Sequence, residues 1–482
     1  MKKRALPAAH AVRSRLAPLA AFAASLFSIG ATAQTTWTVD SCNEGLSGDA
    51  SAHTGTLRFA VAHAASGDSV DLGTLACSTI SLTTGAVSFS LDDLTLTGPT
   101  DGGLTITGAS NAHTALLHHD GYGTLTLRNL ALEYADNRSV GYVHGGCVYS
   151  YANIVLDHVR LAHCSATAPN VIGGAVFAHN DLSMTFTSVV GNSAHGTTSA
   201  RGGGAYARGN MRVEFSTIDG NTLTGAVNYA GAGGGIFAGG LMLRNSTISN
   251  NSASWYGGGF GVVHTGAAGT YLRMYSSTIS GNFSANRVGG GYATVPDVVI
   301  DNSTIALNRS TKGNRFLGPG LALSAYFTPL ALTLQSSLFV DNNAANPDPN
   351  GDGSTEYDLT VIHDPFTVTL DPASSNNLIR RSVDTQVPAD TISGAGACPL
   401  LGPLRDNGGP TRTHALLSGS IAIDNGNNNI GASQDQRGTT DDPGPPYPYP
   451  READGAADIG AFEYQPADTI FNASLEACTP IP

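Results

Sequence analysis

STISNNSASWYGGGFGVV, Ser246 to Val263, packs a hydroxyl-hydroxyl-aliphatic phrase, an asparagine pair and a triple glycine into one short span. Glycine-rich loops can cradle phosphate through free N–H groups, so a nucleotide site is one reading of Gly257 to Gly259. Recurrence decides against it. Relatives of STISNN stand at TSVVGN (187–192), STIDGN (216–221), STISGN (277–282), STIALN (303–308) and SLFVDN (337–342). The glycine run returns as GGC (145–147), GGA (173–175), GGG (202–204), GGG (233–235), GGG (289–291) and GPG (318–320). A phosphate loop has no reason to recur about every thirty residues, whereas the corner of a stacked coil does.

The anchors of the phrase are Val189, Ile218, Ile248, Ile279, Ile305 and Phe339, and extension backward at the same interval adds Leu130 and Val159. Five positions before these anchors stand Leu125, Ile154, Met184, Val213, Leu243, Met274, Ile300 and Leu334. Seven before, from the third copy on, stand Leu182, Met211, Leu241, Leu272, Val298 and Leu332. Apolar residues two apart describe a strand with one buried face, and the odd offset of the anchor requires a bend. Asn192, Asn221, Asn251, Asn282, Asn308 and Asn342 follow the anchors by three. They are expected just past a corner, in the left-handed conformation asparagine tolerates, with amides laddered between coils. Each such bond contributes about 0.5–1.5 kcal/mol. The pattern predicts an all-β parallel solenoid, eight to ten coils forming a rod on the order of 40–50 Å long. A leucine-rich repeat is excluded because its Leu-x-x-Leu-x-Leu phrase does not recur.

Composition agrees: 59 glycines and 13% charged residues favour short strands and tight turns over long helices. A formal charge of −13 with 24 Lys plus Arg argues against nucleic acid as partner. Lys2, Lys3 and Arg4, an apolar run from Leu16 to Ile29 and Ala31-Thr32-Ala33 read as a secretory signal peptide over 1–33. No later run is long and apolar enough for a membrane helix. Outside the cytoplasm the six cysteines can oxidise, and proximity favours Cys42 with Cys77 and Cys147 with Cys164 among the connectivities that six allow.

The repeated I-x-x-N and F-x-x-N phrases, each followed by GGG or GGA, resemble the right-handed parallel β-helix of polymorphic outer-membrane-protein-like passengers of bacteria. TLRFAVAHAASGDSVDL (56–72) and ISLTTGAVSFSLDDLTLTGP (80–99) resemble the N-terminal start of such helices. PLRDNGGPTRTHALLSGSIAIDNG (403–426), DQRG (435–438) and ADIGAFEYQ (457–465) are similar to the choice-of-anchor Q domain that closes many of them. The resemblance implies a right-handed β-helix with capping regions, export, and a surface location without an assigned activity. The expected parts are an N-terminal cap with irregular coils over 34–123, regular repeats over 124–345, irregular coils over 346–397, a closing domain over 398–466 and a tail over 467–482. The chain carries no outer-membrane barrel of alternating strands after the helix, and DTIFNASLE (468–476) leaves the mode of anchoring open.

Chemistry is sparse. Outward repeat positions hold mostly Ser, Thr, Asn and Gly, and no ordered N-x-D, D-D, G-H-G and R-x-K series of a polygalacturonase occurs. Asp92-Asp93 reads as a solvated turn. Asp348, Asn350 and Asp352 before Gly353 follow the order of a calcium loop, with Glu356 as a further oxygen donor. Leu359 occupies the place of the usual bidentate glutamate, so a plain polar loop is the preferred reading. No cofactor is required, and calcium here is the one metal expectation. His144, Cys147, His163 and Cys164 form a zinc set on paper, set against a disulfide flanked by two histidines. Trp255 and Tyr256 are a carbohydrate-stacking pair or simple coverage. Asp406, Arg412 and His414 lack a nucleophile at a diagnostic spacing and read as loop ties, as do Asp424, Arg437, Asp458 and Glu463.

The function expected is that of an exported, non-enzymatic binding or adhesion scaffold facing a glycan or other surface ligand. Its expected location is the exterior or outer-membrane surface of a Gram-negative bacterium, with the periplasm as the other option. The alternative is a lyase or glycoside hydrolase acting on acidic glycans, its residues converging from separate coils.

Overall fold

The computed structural model describes residues 34–44, 54–109, 112–225, 231–264, 269–313, 317–347, 353–363, 365–383, 387–394, 396–439, 447–453 and 455–465. The expected signal segment (1–33) and tail (467–482) lie outside them. A coil consists of four short strand segments joined by tight corners. After the quoted stretch these are Phe260–Val263, Tyr271–Tyr275, Thr278–Ser280 and Phe283–Ser284. Each pairs in parallel with its counterpart in the next coil, as Phe260 does with Gly291 and Ile279 with Ile305. The fold is thus the expected parallel β-helix. The one helix among the described residues, Leu57–His63, buries Leu57, Ala60 and Val61, and Thr56 caps it by accepting the Phe59 N–H at 3.2 Å.

The anchor column runs Ile80, Ile106, Leu132, Leu161, Val189, Ile218, Ile248, Ile279, Ile305, Phe339 and Ile379. All are fully or almost fully buried. Leu130 and Val159 are therefore not the anchors of their coils. They pair with each other two positions earlier, in a buried column that continues as Thr187, Ser216, Ser246, Ser277, Ser303 and Ser337. Leu125 and Ile154 shift likewise, because Leu127 and Leu156 align with Met184. A two-residue offset preserves strand parity, and in these coils both columns are apolar, so periodicity alone does not choose between them.

From Ser216 onward the second column is a hydroxyl ladder. The Ser216 N–H donates to Ser246 Oγ at 3.2 Å, while the Ser246 hydroxyl donates to Arg244 O at 2.7 Å. Beside it runs the asparagine ladder. Asn251 Nδ2 donates to Asn282 Oδ1 at 3.0 Å and to Ile218 O at 2.9 Å, and the Asn251 N–H donates to the same Asn282 Oδ1. Asn192, Asn221, Asn282 and Asn308 repeat this arrangement, so the buried amides are satisfied without water. The ladder asparagines sit just past a corner, as expected, and another corner precedes the anchor. Positive φ falls three residues before the anchor, at Phe215, Asn245, Ser276 and Asn302, and two after it, at Gly220, Asn250, Gly281 and Leu307. The ladder asparagines follow the second corner, their own backbone free of that strain.

The glycine runs are close-approach corners. Gly257 has φ +59°, and a Cβ on Gly258 would stand 2.3 Å from Phe283 O and 2.5 Å from Gly289 O. The described residues between 399 and 464 add no coils. They lie along the flank formed by the outward side of the anchor strands. Thr247 Oγ1 donates to Arg412 O at 2.6 Å, Thr278 Oγ1 donates to Gln436 Oε1 at 2.6 Å, and the Ala461 N–H donates to Thr304 Oγ1 at 3.0 Å.

Inside this flanking segment, the buried Arg437 guanidinium pairs with Asp435 at 2.8 Å and donates to Glu463 O at 2.7 Å. It lies 4.4 Å from the Tyr449 ring centroid and 3.9 Å from that of Phe462. Asp458 accepts the Asp424 and Tyr464 N–H groups. These side chains fix loop geometry, as their composition suggests.

Candidate functional site

The outward positions of the first segment in five successive coils carry a column of rings. His118, Tyr149, Phe177, Tyr206 and Phe237 occupy matched register. A side chain at a fixed register is repeated once per coil, so like rings stack along the axis. Centroid separations are 4.3 Å from His118 to Tyr149, 5.5 Å to Phe177, 5.4 Å to Tyr206 and 5.7 Å to Phe237. The three later rings are buried, at 5–7% exposure, whereas His118 and Tyr149 are half-buried.

Two residues further on stand Asp120, Tyr151, His179 and Arg208. Tyr151 meets His179 at a 31° tilt with centroids 4.6 Å apart, and meets Tyr122 edge-on at 5.5 Å. Arg208 Nη1 donates to His179 Nε2 at 3.0 Å, and His118 Nε2 bonds Asp120 Oδ1 at 3.2 Å. Tyr122 is held out by its turn. Asp92 Oδ1 accepts the Tyr122 N–H at 2.9 Å and Asp93 Oδ1 accepts the Thr124 N–H at 2.8 Å, giving the aspartate doublet a role beyond solvation. A Cβ on Gly121 would stand 1.9 Å from Leu91 O, so only glycine fits that turn. The result is an exposed patch: Tyr122 is 76% exposed and Tyr151 41%, with Arg208 at its edge.

Burial holds the His144 imidazole below the usual histidine range, reinforced by His179 and His118. Burial also lowers His179, with Arg208 adding to the effect. Tyr149 is raised by burial and by Asp120 and Tyr151, so its hydroxyl stays protonated. Neutral imidazoles, phenols and one guanidinium beside open aromatic faces suit a hydroxyl-rich ligand bearing carboxylates. The repeat phrase did not reveal this patch, since its residues fall in or just after the strands that follow the glycines, outside that phrase.

Neither a protein-family model nor a curated protein sequence matches the chain. Among solved structures, pectate lyase Pel9A is similar at 14% identity, covering 90% of this chain and 98% of that one, with a TM-score of 0.38. A PL6 alginate lyase solved in complex with a trisaccharide is similar at 13% identity, covering 80% and 91%, with a TM-score of 0.29. At these scores no activity passes from either to this chain.

The other sequence-derived positions are placed as follows. Tyr256 is buried at 7% exposure, stacked on Tyr292 at 5.4 Å, and Trp255 meets it edge-on at 5.9 Å. The pair covers the far end of the aromatic column, and Tyr256 offers no open face. Asp348, Asn350 and Asp352 lie outside the described residues. Glu356 is buried 3.4 Å from Arg380 Nε, and burial raises its pKa. Cys147 and Cys164 are joined in a disulfide, as are Cys42 and Cys77, so the zinc set loses its thiolates. His163 stacks on Tyr134 and His144 on Phe177. Among the described residues no group of three or more His, Cys, Asp and Glu is gathered for a metal.

Proposed function

We propose that this protein is an exported scaffold that binds acidic glycans through the patch formed by Tyr122, Tyr151, His179 and Arg208. The observation that carries this reading is the placing of Tyr151 and Tyr122 as exposed rings beside the His179–Arg208 pair. Sugar rings rest on aromatic faces, and a guanidinium selects the carboxylate. Export is supported by the signal-like N-terminus, by disulfides that persist in oxidising compartments, and by the likeness of residues 403–426 to choice-of-anchor Q domains. A bacterial surface location follows from the same points.

The test is calorimetric titration with polyuronate and with a neutral polysaccharide of similar length. The expected result is saturable polyuronate binding that weakens with salt and falls about tenfold in Arg208→Ala. Equal affinity for the neutral polymer, or none for either, overturns the reading. Release of new reducing ends during the titration would favour the lyase or hydrolase alternative instead.

A further inference from the structure

Where the flanking segment crosses the helix, Ser280 Oγ and His414 Nε2 meet at 2.8 Å, although 134 residues separate them in the chain. On the other side of the ring, His414 Nδ1 lies 2.7 Å from Gly402 O. A carbonyl only accepts, so Nδ1 carries the proton and Nε2 presents its lone pair to the serine hydroxyl. With the proton on Nδ1, the tautomer that accepts the serine hydroxyl at Nε2 is oriented by a third group, which is the arrangement of a nucleophile and its general base.

Two features separate this pair from a structural tie. It lines a cleft of about 240 Å³, walled on its apolar side by Leu307, Leu401 and Leu404. The exposed Arg412 also lines the cleft, and its guanidinium makes no hydrogen bond or ion pair among the described residues. Ser280 and His414 are each 2% exposed and meet solvent only through this cleft. Ser150 and His119, also buried, make a bond of the same length, 2.8 Å, with the other imidazole nitrogen on Leu91 O. That second pair does not line this cleft and serves as an internal control.

The geometry points to Ser280 and His414 as a catalytic pair for hydrolysis of short-chain carboxylic esters. A cleft below the roughly 300 Å³ that takes a drug-sized ligand suits a small acyl group against the leucines. Ser280 Oγ adds to the ester carbonyl carbon as its proton passes to His414 Nε2, and the carbonyl electron pair moves onto oxygen beside Arg412. Collapse expels the alcohol, which takes the proton from His414. Water then loses a proton to His414, attacks the acyl-serine, and releases the carboxylic acid with Ser280 restored. This activity is independent of the glycan patch, which lies on the outer side of a different strand segment.

The test treats the full-length protein with a fluorophosphonate and locates the adduct by peptide mass spectrometry, alongside hydrolysis of p-nitrophenyl acetate and butyrate. The expected result is an adduct on Ser280 and none on Ser150, with hydrolysis falling about 100-fold or more in Ser280→Ala at unchanged melting temperature. Absence of an adduct on Ser280 of the wild-type protein overturns the proposal, and so does hydrolysis surviving in a folded Ser280→Ala. Should that variant fail to fold, adduct mapping on the wild-type protein decides alone.

Discussion

Asn342 Nδ2 donates to Asp358 Oδ1 at 2.8 Å, and the Asn342 N–H donates to the same oxygen at 3.1 Å, so the asparagine ladder ends on a carboxylate. The other Asp358 oxygen accepts the Arg381 N–H at 3.0 Å. Asp358 is fully buried, and its pKa is raised well above the usual range, first by burial and then by Glu356. Asp358→Asn keeps an acceptor for the ladder but turns an amide NH2 toward the Arg381 N–H, and is expected to cost about 1 kcal/mol. Asp358→Ala leaves two buried donors on Asn342 without their acceptor and is expected to cost about 2–4 kcal/mol. Urea unfolding of both variants checks the difference; equal losses would mean that the ladder does not depend on its terminal acceptor.

The flanking segment gives stability a pH dependence. Burial pushes Glu463 up to about 8 and Asp458 and Asp301 up to about 6, against the opposing influence of Arg451 on each. A carboxyl whose folded pKa exceeds its unfolded value binds more protons when folded. Its contribution is full below about pH 4 and is lost as pH rises through the folded value. From these groups, stability is expected to fall between about pH 5 and pH 8.5. Glu463→Gln is expected to flatten the upper part of that fall, with melting temperature against pH as the measurement.

The Cys147–Cys164 disulfide joins residues 17 apart and is buried where the ladder begins, since the Cys164 N–H donates to Asn192 Oδ1 at 2.9 Å. The double substitution to alanine is expected to lower stability by about 2–4 kcal/mol. Chemical denaturation of the variant beside the wild-type protein measures the loss.

Tyr256 and Tyr151 separate coverage from recognition. Tyr256→Ala empties a covered ring site and is expected to cost about 3 kcal/mol while polyuronate affinity holds. Tyr151→Ala removes an exposed ring and is expected to do the reverse, weakening binding severalfold with little change in melting temperature. The opposite pattern would move the recognition surface to the Trp255–Tyr256 turn.

The period was legible because every coil places one buried side chain at the same register, which forces Ile218, Ile248, Ile279 and Ile305 to recur. The register of the first copies was not, because Leu130 and Leu132 are both buried, as are Val159 and Leu161, and only the later serines distinguish the two columns. The aromatic patch depends on stacking across coils, visible only once Tyr151 is known to lie over His179. The Ser280–His414 contact is set by the path of the flanking segment, which no local pattern in the chain specifies.

That path also changes how the molecule yields to force. In a solenoid each coil touches only its neighbours, so coils can peel away one at a time from an end. Here one continuous segment is fastened to Asn245, Thr278, Thr304 and Asn376, on coils that do not all touch one another. It acts as a tie rod: pulling on the rod's axis must strip several fastenings before any single coil is free. Extension should therefore show one large rupture over this region in place of a regular sawtooth.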